Sequence, residues 1–205
     1  RSSDLTVLQN INATFDAGLI HGVIGKNGAG KTVLLRLLCG LMHPSKGQVI
    51  VDGKQLGKDV DFAPDAGIII ETPCFLPYLS GFQNLKELAS IRNIISKEEI
   101  AEAMEQVKLD PSSRKHVGKY SLGMRQRLGI AQAIMERPRY LILDEPMNGL
   151  DTQGMEDVRE LLQKQKETGV TVILASHSME DIRLLCDTVH RIQDASLIPC
   201  TTEFS

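Results

Sequence analysis

Residues 25–32 read GKNGAGKT and follow the apolar run IHGVI. The spacing is G-x-x-x-x-G-K-[S/T], set between a strand-like and a helix-like segment. Few chain segments restrict a fold so tightly. Gly25, Gly28 and Gly30 are expected to take positive φ, so that successive N–H groups turn toward one anion. A helix beginning at Lys31 adds the positive end of its dipole. Lys31 supplies a mobile point charge for β- and γ-phosphates, and the Thr32 hydroxyl can ligate Mg²⁺. The stretch Gly25, Lys26, Asn27, Gly28, Ala29, Gly30, Lys31, Thr32 and Val33 is therefore a candidate phosphate cradle.

A cradle of this kind needs a parallel sheet behind it, and the chain supplies the strands. GIII (67–70), RYLILDE (139–145) and VTVILAS (170–176) are near-continuous apolar runs, as expected of strands covered on both faces. Helical segments separate them. One follows the loop at 31–39. Another spans 96–108 behind a capping box of Ser96 and Glu99. A third spans 151–168, with Asp151 as N-cap and Gly169 beyond its end. Alternating strands and helices predict an α/β core. KGQVIVDGKQL (46–56) predicts a small antiparallel hairpin turning at Asp52-Gly53. Residues 80–137 carry two or three helices and no strand, which marks a helical insertion.

Composition narrows the function. The 205 residues are 42% hydrophobic, enough for one sizeable core. A net charge of −3 gives no basis for a nucleic-acid partner. No apolar run reaches the roughly 18–20 residues that cross a bilayer. Cys39, Cys74, Cys186 and Cys200 are scattered and form no Cys-x-x-Cys pair, so thiols are expected and zinc is not. The chain opens on Arg1 without a signal peptide and closes without a clear element after Pro199; truncation at both ends is expected.

YLILDEP (140–146) ends a strand in two carboxylates, where ligands of a parallel sheet bind. Strand alternation would send Asp144 and Glu145 to opposite sides. Asp144 is then the candidate Mg²⁺ ligand and Glu145 the candidate base that polarises an attacking water.

These pieces, in this order, resemble the ATP-binding-cassette ATPases over nearly the whole chain. GKNGAGKT resembles the family's Walker A loop, LILDEP its Walker B strand with the catalytic Glu145, NGLD (148–151) its D-loop, and His177 its switch histidine beside the γ-phosphate. Tyr120-Ser121-Leu122-Gly123-Met124 stands where the family has its signature turn, with Leu122 and Met124 departing from the usual Gly and Gln. The resemblance implies a P-loop NTPase core at 1–71 and 138–205 and a helical subdomain at 72–137. It implies two copies meeting head to tail around two ATP molecules with Mg²⁺. Each site would borrow Ser121 and Gly123 from the other copy, with Asp151 nearby. It implies a cytoplasmic subunit, peripheral on the inner face of the membrane and docked on a transmembrane permease through the apolar stretch 72–90.

Three departures accompany the resemblance. Val33 replaces a hydroxyl residue and forgoes one hydrogen bond to the α-phosphate, worth at most about 1.5–3 kcal/mol. Glu71 replaces the usual Gln of the loop after the second core strand, which adds a hard metal ligand and a negative charge, so Glu71 joins Thr32 and Asp144 as a metal-ligand candidate. No aromatic residue stands upstream of Val7 to stack on adenine, attributed to truncation. IIIETPCFLPYLSGFQNL together with YSLGMRQRLGIAQA is similar to the subfamily that exports bacitracin and lantibiotic-type peptides and confers antibiotic resistance. The alternative within the family is a soluble ATPase acting on DNA or ribosomes, whose types carry coiled-coil or zinc insertions or two cassettes. An unrelated kinase or GTPase would lack the signature helix and His177, and the Asn-Lys-x-Asp motif of GTPases is absent.

Overall fold

A computed structural model describes residues 7–71 and 73–200. The two chain ends, where truncation is expected, and Thr72, the first residue of the expected insertion, lie outside the described residues.

The chain order starts with β1 (Ile20–Ile24), followed by α1 (Lys31–Cys39). A hairpin of β2 (Ile50–Val51) and β3 (Lys54–Gln55) precedes β4 (Ala66–Ile69). Three helices and a short 3-10 turn come next: α2 (Gly81–Arg92), α3 (Lys97–Gln106), the turn Val117–Lys119, and α4 (Leu122–Ile134). The core then resumes with β5 (Tyr140–Asp144), α5 (Thr152–Glu167), β6 (Thr171–Ala175), α6 (Met179–Leu185), β7 (Thr188–Gln193) and β8 (Ser196–Cys200).

Six strands form one sheet in the order β4-β5-β6-β1-β7-β8. The first five neighbours run parallel and β8 closes the far edge antiparallel. Alternation along the strands splits the core into two layers, one on each face of the sheet. Leu141 and Leu143 of β5, with Val172 and Leu174 of β6, face a layer that also holds Leu128 and Ile130 of α4 and Leu161 and Leu162 of α5. Ile142, Ile173 and Val23 face the other way, onto Leu34, Leu35 and Cys39 of α1. Each fully buried aliphatic side chain here contributes about 1.5–3 kcal/mol of transfer free energy.

Register decides where the strand ends fall. Asp144 lies opposite Ala175, Ala175 opposite Val23, and Leu143 opposite Ile69. The carboxyl ends of β1, β4, β5 and β6 are therefore side by side, and the residues that follow them share one edge of the sheet.

Capping chemistry sets the helix starts. Ser80 with Gln83 and Ser96 with Glu99 form reciprocal capping boxes at α2 and α3. Asp151 caps α5 by accepting from the Gly154 N–H at 2.9 Å. The hairpin turns through Asp52 (φ 50°) and Gly53 (φ 74°), both left-handed as its two-residue turn requires. The Asp52 carboxylate then accepts from Arg139 at 2.7 Å and from the Tyr140 hydroxyl at 2.5 Å, which fastens the hairpin to the start of β5. Gly67 on β4 leaves room for α4: a Cβ there would lie 1.9 Å from the Ala133 carbonyl oxygen. Among the described residues the cysteines are unpaired, and burial pushes the Cys39 and Cys186 thiols up to about 12, which makes them inert. No helix among the described residues is long and apolar enough to cross a membrane.

Candidate active site

The loop after β1 turns tightly, with the Ala29 N–H donating to the Lys26 carbonyl at 3.0 Å. Gly28 (φ 78°) and Gly30 (φ 107°) take the left-handed backbone, and Gly30 is the N-cap of α1. Gly25 does not, which corrects the expectation of three such glycines. Its constraint is space: a Cβ would sit 3.1 Å from the Ile192 carbonyl oxygen and 3.3 Å from the Ala29 methyl. Lys31 is buried, and its Nζ donates back to the Gly25 carbonyl at 2.9 Å. The ammonium is thereby stretched across the loop, with two further N–H donors left for an anion.

One residue further on, the Thr32 hydroxyl donates to Asp144 Oδ2 at 2.6 Å, across 112 residues of sequence. Asp144 is only 9% exposed, so this bond also satisfies a buried charge. A hydroxyl and a carboxylate oxygen held in contact fit Mg²⁺, a hard cation that takes few protein oxygens and completes its shell with water and substrate phosphate. Among the described residues no three His, Cys, Asp or Glu side chains gather as a metal cage.

Glu145 faces a different partner, though not for the reason alternation suggested. The strand ends at Asp144, and Glu145 itself turns left-handed (φ 50°) while its N–H still donates to Ala175 at 2.9 Å. That turn, costing about 1 kcal/mol for a non-glycine residue, swings its carboxylate beside the end of β6. Oε2 there meets His177 Nδ1 at 2.8 Å and the His177 N–H at 3.4 Å. Nδ1 carries the proton in this pair, because the carboxylate can only accept.

These groups surround a cavity of about 730 Å³ lined by Lys26, Asn27, Gly28, Gly30, Lys31, Thr32, Val33, Glu71, Asp144 and Glu145. Val7, Leu122, Gln126 and Asn148 complete the wall. Gly25 and Ala29 support the loop from behind, and His177 touches the cavity through Glu145. Three further expected site residues stand off it. Ser121 caps α4, accepting from the Met124 N–H at 3.2 Å; Gly123 packs against the Gly149 carbonyl; Asp151 caps α5. Glu71 lines the cavity, but its carboxylate is turned onto Arg36 at 2.6 Å rather than onto Thr32 and Asp144.

Gln126 escaped the sequence reading. Its buried amide donates to the Pro146 carbonyl at 3.0 Å and so ties α4 to the turn that presents Glu145. The signal was available: Gln126 lies four residues past Leu122, on the same helix face.

A sequence-family comparison matches the ABC transporter family over residues 8–148, more than half of the chain. The chain belongs to the ABC transporter family. Among similar ABC proteins, an uncharacterised ABC transporter ATP-binding protein of Bacillus subtilis is 47% identical, covering 89% of this chain and 84% of the relative. A bacitracin transport ATP-binding protein of Enterococcus faecalis is 40% identical over 95% of this chain, and a lantibiotic transport ATP-binding protein of Streptococcus pyogenes 34% over 94%. The chain spans 83% of the lantibiotic relative, but only 63–64% of two further Bacillus subtilis relatives and of the bacitracin protein. The fold matches a solved ATP-binding subunit of an ABC transporter with a TM-score of 0.85 at 26% identity, covering 96% of this chain and 84% of that one. It also matches a bacterial ABC transporter cassette solved as a dimer, with a TM-score of 0.82 at 23% identity, covering 93% and 88%. As an ABC cassette, the chain has the α/β P-loop fold of an ABC transporter ATP-binding protein.

Proposed function

We propose that this chain binds and hydrolyses Mg·ATP to drive export of peptide antibiotics or similar drugs through a separate permease. One observation carries the reading: the phosphate loop, the Thr32–Asp144 pair and the Glu145–His177 pair converge on one cavity. The bacitracin and lantibiotic relatives support the class of cargo.

In this reading the N–H groups of residues 28–32 and the start of α1 hold the β- and γ-phosphates, and Lys31 exchanges its Gly25 carbonyl for phosphate oxygen. Thr32 and Asp144 would hold Mg²⁺, which when bound screens the triphosphate and polarises the γ-phosphoryl group. Glu145 accepts a hydrogen bond from the attacking water, and the His177 N–H keeps that carboxylate aimed. Ser121 and Gly123 stand away from the cavity of their own chain, and this supports their use by a second copy: α4 would offer its N-terminal dipole to the partner's γ-phosphate. Leu76 and Tyr78, 44% and 64% exposed after β4, would meet the permease. The core would comprise 1–71 and 138–205 and the helical subdomain 72–137, and docking on the permease would put the protein at the cytoplasmic face of the membrane.

Glu145→Gln keeps the shape of the site and removes the base. With Mg·ATP it should elute as a dimer on size-exclusion chromatography while hydrolysis falls at least about 100-fold. Failure of both wild type and variant to bind ATP would sink the reading.

A further inference from the structure

Glu71 follows β4 in a left-handed conformation (φ 63°) that non-glycine residues rarely adopt. That turn directs its side chain toward α1, where Arg36 donates to Oε1 at 2.6 Å. Arg36 lies four residues past Thr32, on the same face of α1 and about 6 Å farther along the helix axis. The pair therefore engages the Glu71 carboxylate with Arg36 rather than with the oxygens of Thr32 and Asp144, while Glu71 stays in the cavity wall. Charge gives this placement a consequence. The cavity already holds Asp144 and Glu145 against Lys26 and Lys31, and a third free carboxylate would oppose a triphosphate but attract a divalent cation. Both partners are solvent-accessible, at 36% and 63%, so the ion pair is weak and readily exchanged.

We infer that Arg36 is a positioning residue that holds Glu71 away from the metal end of the cavity and sets how tightly a divalent cation binds with the nucleotide. This rests on the Mg·ATP reading above. Removing Arg36 frees the carboxylate to reach the cation. Replacing Glu71 by Gln leaves Arg36 no carboxylate to restrain.

The test is a titration of Mn²⁺ into the whole chain with a non-hydrolysable ATP analogue, followed by the loss of the free-Mn²⁺ resonance. Arg36→Gln should tighten Mn²⁺ about two- to five-fold, the scale of one accessible ion pair. Arg36→Lys should stay near wild type. In a Glu71→Gln background, Arg36→Gln should change nothing. An unchanged Mn²⁺ affinity in Arg36→Gln, or an equal shift with Glu71 already replaced, would overturn the inference while leaving the nucleotide reading intact. Absence of analogue binding to wild type would overturn both. Matched thermal melts guard against a folding defect, and Arg36→Met, which also lacks the charge and carries the same expectation, serves if Arg36→Gln unfolds.

Discussion

A buried cluster at the start of β1 and β7 has no part in nucleotide chemistry, yet it fixes a pH response. His21 is fully buried, with Nε2 at 2.8 Å from the Asp16 carbonyl and Nδ1 at 2.7 Å from the Thr188 hydroxyl. The Phe15 ring lies edge-on to both His21 and His190 at 5.2 Å. His190 Nδ1 is buried with no partner. Burial, and then the nearby His21, hold His190 below its ordinary value of 6.5. The unfolded chain thus takes up a proton at a pH where the folded chain does not. Stability from this residue is complete above about pH 6.5 and declines as pH falls through the window down to the lowered folded value. Urea midpoints should drop across that window, and His190→Gln should lessen the drop. A variant curve that parallels wild type would exclude this origin.

At the scale of elements, the start of α4 serves two ends at once. Ser121 caps the helix, so a bulky replacement such as Arg would lose about 0.5–2 kcal/mol of helix stability as well as any contact with a second copy. Ser121→Asp separates the two roles, because Asp caps as well as Ser but places a carboxylate where a partner's γ-phosphate would approach. Its melting temperature should match wild type and it should bind ATP as a monomer, while ATP-driven dimerisation and hydrolysis fall at least about ten-fold. Retained hydrolysis would leave α4 a purely structural helix. The same helix is anchored at several points. Arg127 donates to Asp157 at 3.0 Å and to the Val107 carbonyl at 2.9 Å, and Gln126 reaches the Pro146 carbonyl. These bonds tie α4 to the end of α3, to α5 and to the turn bearing Glu145.

For the whole molecule, the proposed division of each site between two copies makes a sharp demand. A Lys31→Ala chain keeps its Ser121, and a Ser121→Asp chain keeps its Lys31. Mixed one to one, half of the dimers are heterodimers, and each has one complete site. The mixture should recover up to about a quarter of wild-type ATPase activity, although each variant alone should keep no more than about a tenth. No recovery, with heterodimers demonstrated by cross-linking, would refute the shared site.

The sequence alone determined what depends on local chemistry and periodicity. The loop at 25–32, the strand cores, the Ser96–Glu99 capping box and the Asp52-Gly53 turn all follow from side-chain preferences within a few residues, and the order of motifs identified the family. What required the tertiary structure is set by long-range register and by single backbone dihedrals. Pairing of β5 with β6 and of β6 with β1 is what brings Asp144 to Thr32 and His177 to Glu145. A left-handed turn, not strand alternation, aims Glu145, and another aims Glu71 at Arg36. Gly25 is demanded by packing against β7 rather than by φ. Period-two and period-3.6 patterns carry no information about a turn at one residue or about a partner a hundred positions away, because both are decided only when the sheet closes.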